Sequence, residues 1–126
     1  MTDVFELVRL GREFRAAGDP SNAARFLAEA AEAVPADRAV LTELALAHFQ
    51  SASLGNAERV LRVLVGLDPS DGYARLLLGR TLSRQGRPGE VLPELRLAAA
   101  LSRDPEVVAE VERVEARVGV RVRVRV

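Results

Sequence analysis

Apolar residues recur along this chain at helical spacing, and the segments they mark recur at a longer interval. Leu7, Leu10 and Phe14 lie on one face of a first segment, and Ala23, Leu27 and Ala30 on one face of a second. Leu41, Leu44 and Ala45 followed by Ala57, Leu61 and Leu64 repeat that order, and Leu78, Leu82, Leu95 and Ala98 repeat it again. Spacings of three and four residues place these side chains on one stripe of an amphipathic helix. Leu7 returns as Leu41, Ala23 as Ala57 and Gly11, two periods on, as Gly79. A period of about 34 residues holds two helices, A and B, and two turns. Each period is therefore a helical hairpin that buries its apolar face only against its neighbours. The pattern predicts helices over 3–17, 20–34, 38–51, 55–67, 71–85, 88–102 and 105–117.

The polar and breaking residues fall between these stripes. Gly18-Asp19-Pro20 separates the first pair, with Asp19 suited to cap and Pro20 to open the second helix. Pro35-Ala36-Asp37, Asp68-Pro69-Ser70-Asp71 and Gly86-Arg87-Pro88-Gly89 read as turns. Pro93 lies inside the sixth segment, near enough to its start for a shallow bend rather than a break. Asp104-Pro105 falls two residues later than Pro35 and Pro69 set on the period, which predicts a longer turn before the last helix. In that helix Val107, Val108, Val111, Val114 and Val118 form one stripe opposite Glu106, Glu110 and Arg113, as a terminal cap requires. After Gly119, residues 120–126 alternate valine and arginine, a period of two that is strand-like, and residues 119–126 are expected to fray as a tail or to add as a strand to another chain.

The order Leu7-x-x-Leu10-Gly11-x-x-Phe14, Ala23-x-x-x-Leu27-x-x-Ala30 and Pro35 resembles the tetratricopeptide repeat (TPR) family. The second unit departs from that pattern at His48 and Leu64, and the third at Arg75 and Leu82. Small residues at Gly11, Ala45 and Gly79 let paired helices approach closely, so a larger side chain there should overpack the contact. The resemblance implies an all-α chain, a right-handed α-solenoid of three TPR-like helical hairpins at 4–37, 38–71 and 72–105, with a capping helix at 105–118 and the tail at 119–126. It also implies a concave groove lined by the outward positions of the A helices, here Phe5, Val8, Arg12, Leu46, Phe49, Tyr73, Leu76, Arg80 and Arg84. Chaperone-binding members of the family hold a carboxylate with lysine, asparagine and arginine at places where this chain has Val8, Arg12, Glu43, Tyr73 and Leu77. Only Arg12 suits that role, and Glu43 has the wrong sign.

Composition narrows the function. The 126 residues are 48% hydrophobic but only 4% aromatic, so leucine, valine and alanine must build the core. There is no cysteine, hence no disulfide, thiolate metal site or cysteine nucleophile. All 18 basic residues are arginine, which reads as codon usage in a GC-rich, bacterial genome; 18 acidic residues cancel them, and nucleic acid is not an expected partner. His48, the one histidine, takes an aromatic packing position and is read as structural rather than as a general base. The Met1-Thr2-Asp3 start lacks signal-peptide character and no apolar run has membrane-spanning length, so a cytoplasmic setting with no membrane partner is expected. No metal, cofactor or catalytic set is expected. The expected function is a protein-interaction adaptor that binds a peptide segment, acidic with apolar anchors because Arg12, Arg80 and Arg84 rim the groove. The alternative is a self-associating homo-oligomer, with another copy or the chain's own last helix in the groove; an enzyme or enzyme regulator using His48 is a further reading that ranks below it.

Overall fold

The computed structural model describes residues 3–125, with side chains to residue 119. Among these residues there are seven helices and no strand: α1 (Val4–Ala16), α2 (Pro20–Ala33), α3 (Arg38–Gln50), α4 (Leu54–Leu67), α5 (Gly72–Arg84), α6 (Pro88–Ser102) and α7 (Pro105–Arg125). The predicted boundaries agree to within a residue or two for the first six.

Their ends are set by side chains named in the sequence. Asp3, Asp19, Asp37 and Asp71 each accept from a backbone N–H in the first turn of the following helix, and Pro20 opens α2 where no N–H is needed. The three A helices end alike. Gly18, Ala52 and Gly86 take φ of 80°, 59° and 71°, and the next residue donates back five positions, from Asp19 to Phe14, Ser53 to His48 and Arg87 to Leu82. These paired bonds satisfy carbonyls that the helix end would leave open. The sixth helix is continuous through Pro93, which is exposed.

Packing divides the chain into two compact units, residues 1–69 and 70–126. In the first, α1 packs on α2, α2 on α3 and α3 on α4, while α1 also touches α3. Leu27, Ala23, Ala30, Ala45, Ala57, Leu61 and Leu64 are wholly excluded from water. In the second unit α5 packs on α6 and α6 on α7, around Leu78, Leu82, Leu95 and Ala98. The mid-helix glycines are explained by this packing. A methyl group on Gly11 would lie 2.5 Å from Leu27 Cγ, and one on Gly79 2.8 Å from Leu95 Cδ2. Both are closer than carbon atoms approach, so the expected overpacking follows from a named neighbour.

Two expectations at the C-terminal end are corrected. The turn before α7 is shorter than the others, because Pro105 is the first residue of the helix rather than a counterpart of Pro35 and Pro69. α7 starts one position short of a full period after α5 and keeps the A-helix register, with Val107 and Val111 buried as Ala74 and Leu78 are. In that register Glu112, which is exposed, stands where Gly79 stands in α5. The second correction concerns residues 119–125, whose backbone is helical rather than extended. A lone strand leaves its backbone groups unpaired, whereas a helix that is already nucleated satisfies them by adding one bond per residue. Val126 lies outside the described residues.

Candidate functional site

The cleft between α1, the turn after α2 and the start of α3 has a volume of ≈ 680 Å³. Its wall is made by side chains that the helix register places side by side: Val4, Phe5 and Val8 from α1, Val34 from the turn, and Ala39 and Val40 from α3. Val4, Val8 and Val34 pack against the buried set Leu7, Ala30 and Val40, so the apolar floor is fixed by the core beneath it. Phe5 is different. It is 84% exposed, a whole aromatic ring left in water at the mouth of an apolar cleft.

The charged residues around the cleft are largely paired within the fold. Arg9 bonds Glu6 and, through Nη1 at 2.6 Å, Glu13, one turn away on either side. Arg12 donates from Nε to Glu43 Oε1 at 3.2 Å, and Arg15 Nη2 lies 3.0 Å from Glu43 Oε2. Glu43, unsuited to hold a partner carboxylate, thus serves as an internal counter-charge linking α3 to two arginines of α1. Arg80 repeats the device in the second unit, donating from Nε and Nη2 to both oxygens of Glu110 on α7 at 3.1 to 3.3 Å. Arg12 and Arg80 hold the same place in the period, and so do Glu43 and Glu110 once the single missing position before α7 is allowed for.

Of the predicted groove residues, Phe5, Val8 and Arg12 are brought together in this cleft. Leu46 and Phe49 are half-buried on α3 and do not line it. Tyr73, Arg80 and Arg84 are exposed on α5, in the other unit. Leu76 is a correction: at 8% exposure it belongs to the core. The cause is the unusual burial of α5, which hides Ala74, Leu76, Leu77, Leu78, Gly79, Thr81 and Leu82 and so has no outward apolar face at that residue. Sequence reasoning misses Val34 and Asp37, which reach the cleft from the turn between two periods. Their signal is only their place three residues before and at the cap of a helix that starts beside α1.

His48 lines a separate cleft of ≈ 340 Å³ with Ser21, Ala24, Arg25, Ala28, Ser51 and Ser53. Burial holds its imidazole below the ordinary histidine range, and the positive charge of Arg59 adds to this. Ser51 Oγ donates to the His48 carbonyl rather than serving the ring, and no carboxylate among the described residues lines the cleft to orient it. Arg25 covers the face of Phe26 at 5.3 Å, and that ring stacks on Phe14 at 5.4 Å. This cleft is a packing seam with polar edges. Among the described residues no helix is long and apolar enough to cross a membrane, and no group of acidic or histidine side chains is arranged to hold a metal ion.

No protein-family model matches the sequence, and no curated protein does. Solved structures do match. The chain is similar to MamA MSR-1 C2, with 22% identity, a TM-score of 0.80, and coverage of 94% of this chain and 68% of that one. It is similar to the first TPR of Spaghetti (RPAP3) bound to the HSP90 peptide SRMEEVD, with 18% identity, a TM-score of 0.83, and 92% and 93% coverage. It is also similar to YrrB, a TPR protein with an unusual peptide-binding site, with 18% identity, a TM-score of 0.83, and 90% and 58% coverage. At these identities the likeness is one of backbone, and it joins the hairpins, the close helix contacts and the repeated turn geometry in one conclusion: the chain has the tetratricopeptide-repeat fold.

Proposed function

We propose that this chain is a non-catalytic protein-interaction module, and that the cleft between α1 and α3 seats the apolar part of a partner segment. The observation that carries this reading is Phe5, 84% exposed beside a cleft of ≈ 680 Å³ with a valine floor. Nothing in the fold requires an aromatic ring there, since the core below is closed by Leu7, Ala30 and Val40. Apolar surface held open at the edge of a preformed concavity is what a docking partner covers. The similarity to RPAP3 and YrrB, whose structures concern peptide binding, supports the same reading. Leu46 and Phe49 of α3 are proposed to extend the contact within this unit, and Tyr73 to give the second unit a contact of its own.

Peptides selected on the intact chain from a random display library should test this directly. An aromatic anchor is worth about 2 kcal/mol or more on truncation, so Phe5→Ser should weaken the selected peptides by about 30-fold or more. Binding that is equal for wild type, Phe5→Ser and Val8→Ser would sink the cleft as the site. Protection of Phe5 from solvent in the protein without peptide, lost on dilution, would show instead that a second copy covers it.

A further inference from the structure

The sign of the charge at the cleft lip identifies the kind of segment it takes. Five charged residues line the cleft: Asp3, Glu13 and Asp37 against Arg9 and Arg12. The arginines are already engaged. Arg9 is held by Glu6 and Glu13, and Arg12 shares Glu43 with Arg15. These three arginines and three glutamates balance, which leaves Asp3 and Asp37 without a cationic side chain among the described residues. Each uses Oδ1 as a helix cap, to Phe5 N and Val40 N at 3.1 Å. The helix N-terminus offsets about half an elementary charge at each, and the remainder faces solvent on exposed residues. The two aspartates stand at the first turns of α1 and α3, both of which border the valine floor.

We infer that the partner segment is apolar and basic, with lysine or arginine side chains flanking the residues that enter the cleft. This rests on the docking reading above and reverses the expectation of an acidic partner. An acidic segment would compete with Glu6, Glu13 and Glu43 for arginines that those residues already hold, and would bring a like charge to Asp3 and Asp37. A basic segment meets two carboxylates that each retain an unused oxygen.

The test uses the full chain and three amphipathic seven-residue peptides that share two leucines and differ in carrying two lysines, two glutamines or two glutamates. The lysine peptide should bind about fivefold tighter than the glutamine peptide, as two exposed ion pairs allow, and the glutamate peptide weaker than both. Raising salt from 0.05 to 0.5 M, about a threefold shortening of the screening length, should erase the lysine advantage and leave the glutamine peptide unchanged. The double variant Asp3→Asn, Asp37→Asn keeps both caps, because asparagine caps as well as aspartate. It should lose the lysine preference, so that the lysine and glutamine peptides bind alike. Equal binding of all three peptides, each abolished by Phe5→Ser, would overturn the charge inference and leave the cleft standing. A preference for the glutamate peptide, or a lysine preference that survives the double variant, would also overturn it. Failure of all three to bind at millimolar concentration would count against the cleft itself.

Discussion

At Ala52 the backbone turns left-handed, with φ of 59°, in the place where Gly18 and Gly86 make the same turn. A side chain in that region costs about 1–2 kcal/mol relative to the right-handed helix, and glycine recovers most of it while losing more freedom on folding. Ala52→Gly should therefore stabilise the chain by about 0.5–1 kcal/mol, read as a higher urea midpoint at unchanged slope; a lower midpoint would mean that the alanine methyl makes a contact worth more than the strain. The same exchange in reverse, at Gly18 or Gly86, would be destabilising. How much can be read from sequence varies by residue here. Gly18 and Gly86 announce their turns by being glycine, while Ala52 is legible only by lying one period from each of them. Gly11 and Gly79 are legible as close contacts because a mid-helix glycine is otherwise a loss. The pairing of Arg12 with Glu43 is not, because it joins residues of different hairpins and charge sign alone does not give distance.

Helices α1, α3 and α5 begin with an aspartate cap once per period, at Asp3, Asp37 and Asp71, whereas α4 and α6 begin at Ser53 and Arg87 with no side-chain cap. Capping therefore stabilises three of the A helices more than two of their B partners. Asp71→Ala should cost about 1 kcal/mol and Asp71→Asn only a few tenths, measured by chemical denaturation; equal costs would show that the negative charge rather than the cap matters. Element boundaries are legible throughout α1 to α6 because glycine, proline or aspartate brackets each of them except at Ser51-Ala52-Ser53, between α3 and α4, where the period alone places the turn. The end of α7 is not. Its Val-Arg alternation carries no breaker after Gly119, and a period of two reads as a strand although both arginine and the preceding register favour continuing the helix. Pro105 is read rightly as opening a helix but wrongly as the late counterpart of Pro35 and Pro69, since its place on the period is settled only by the register of Val107 and Val111.

Across the whole molecule, 18 arginines and 18 acidic residues are present in equal number, and most of the ion pairs described lie at the surface. Such pairs are each worth little and are screened by salt, so about 1 M sodium chloride should shift the denaturation midpoint by less than about 1 kcal/mol in free energy. Arg75 and Glu94 are the contrast, joined at 3.1 Å with side chains only 15% and 17% exposed. Glu94→Ala should cost about 2 kcal/mol, because it removes a charge-assisted hydrogen bond from a mostly buried guanidinium; a cost no greater than that of removing the exposed Glu115 would contradict this. Arg75 occupies the place of Leu7 and Leu41, so the substitution that weakens the family pattern in the third repeat is one that its own hairpin compensates. Glu112 has the opposite meaning. It puts a carboxylate where α1, α3 and α5 offer bare backbone or a single methyl group, so the close helix approach seen at Gly11 and Gly79 is blocked at that place in α7. A designer who wishes to seat a further helix on that face of α7 would first replace Glu112 with glycine or alanine, the residue sizes that the close contacts at Gly11 and Ala45 admit.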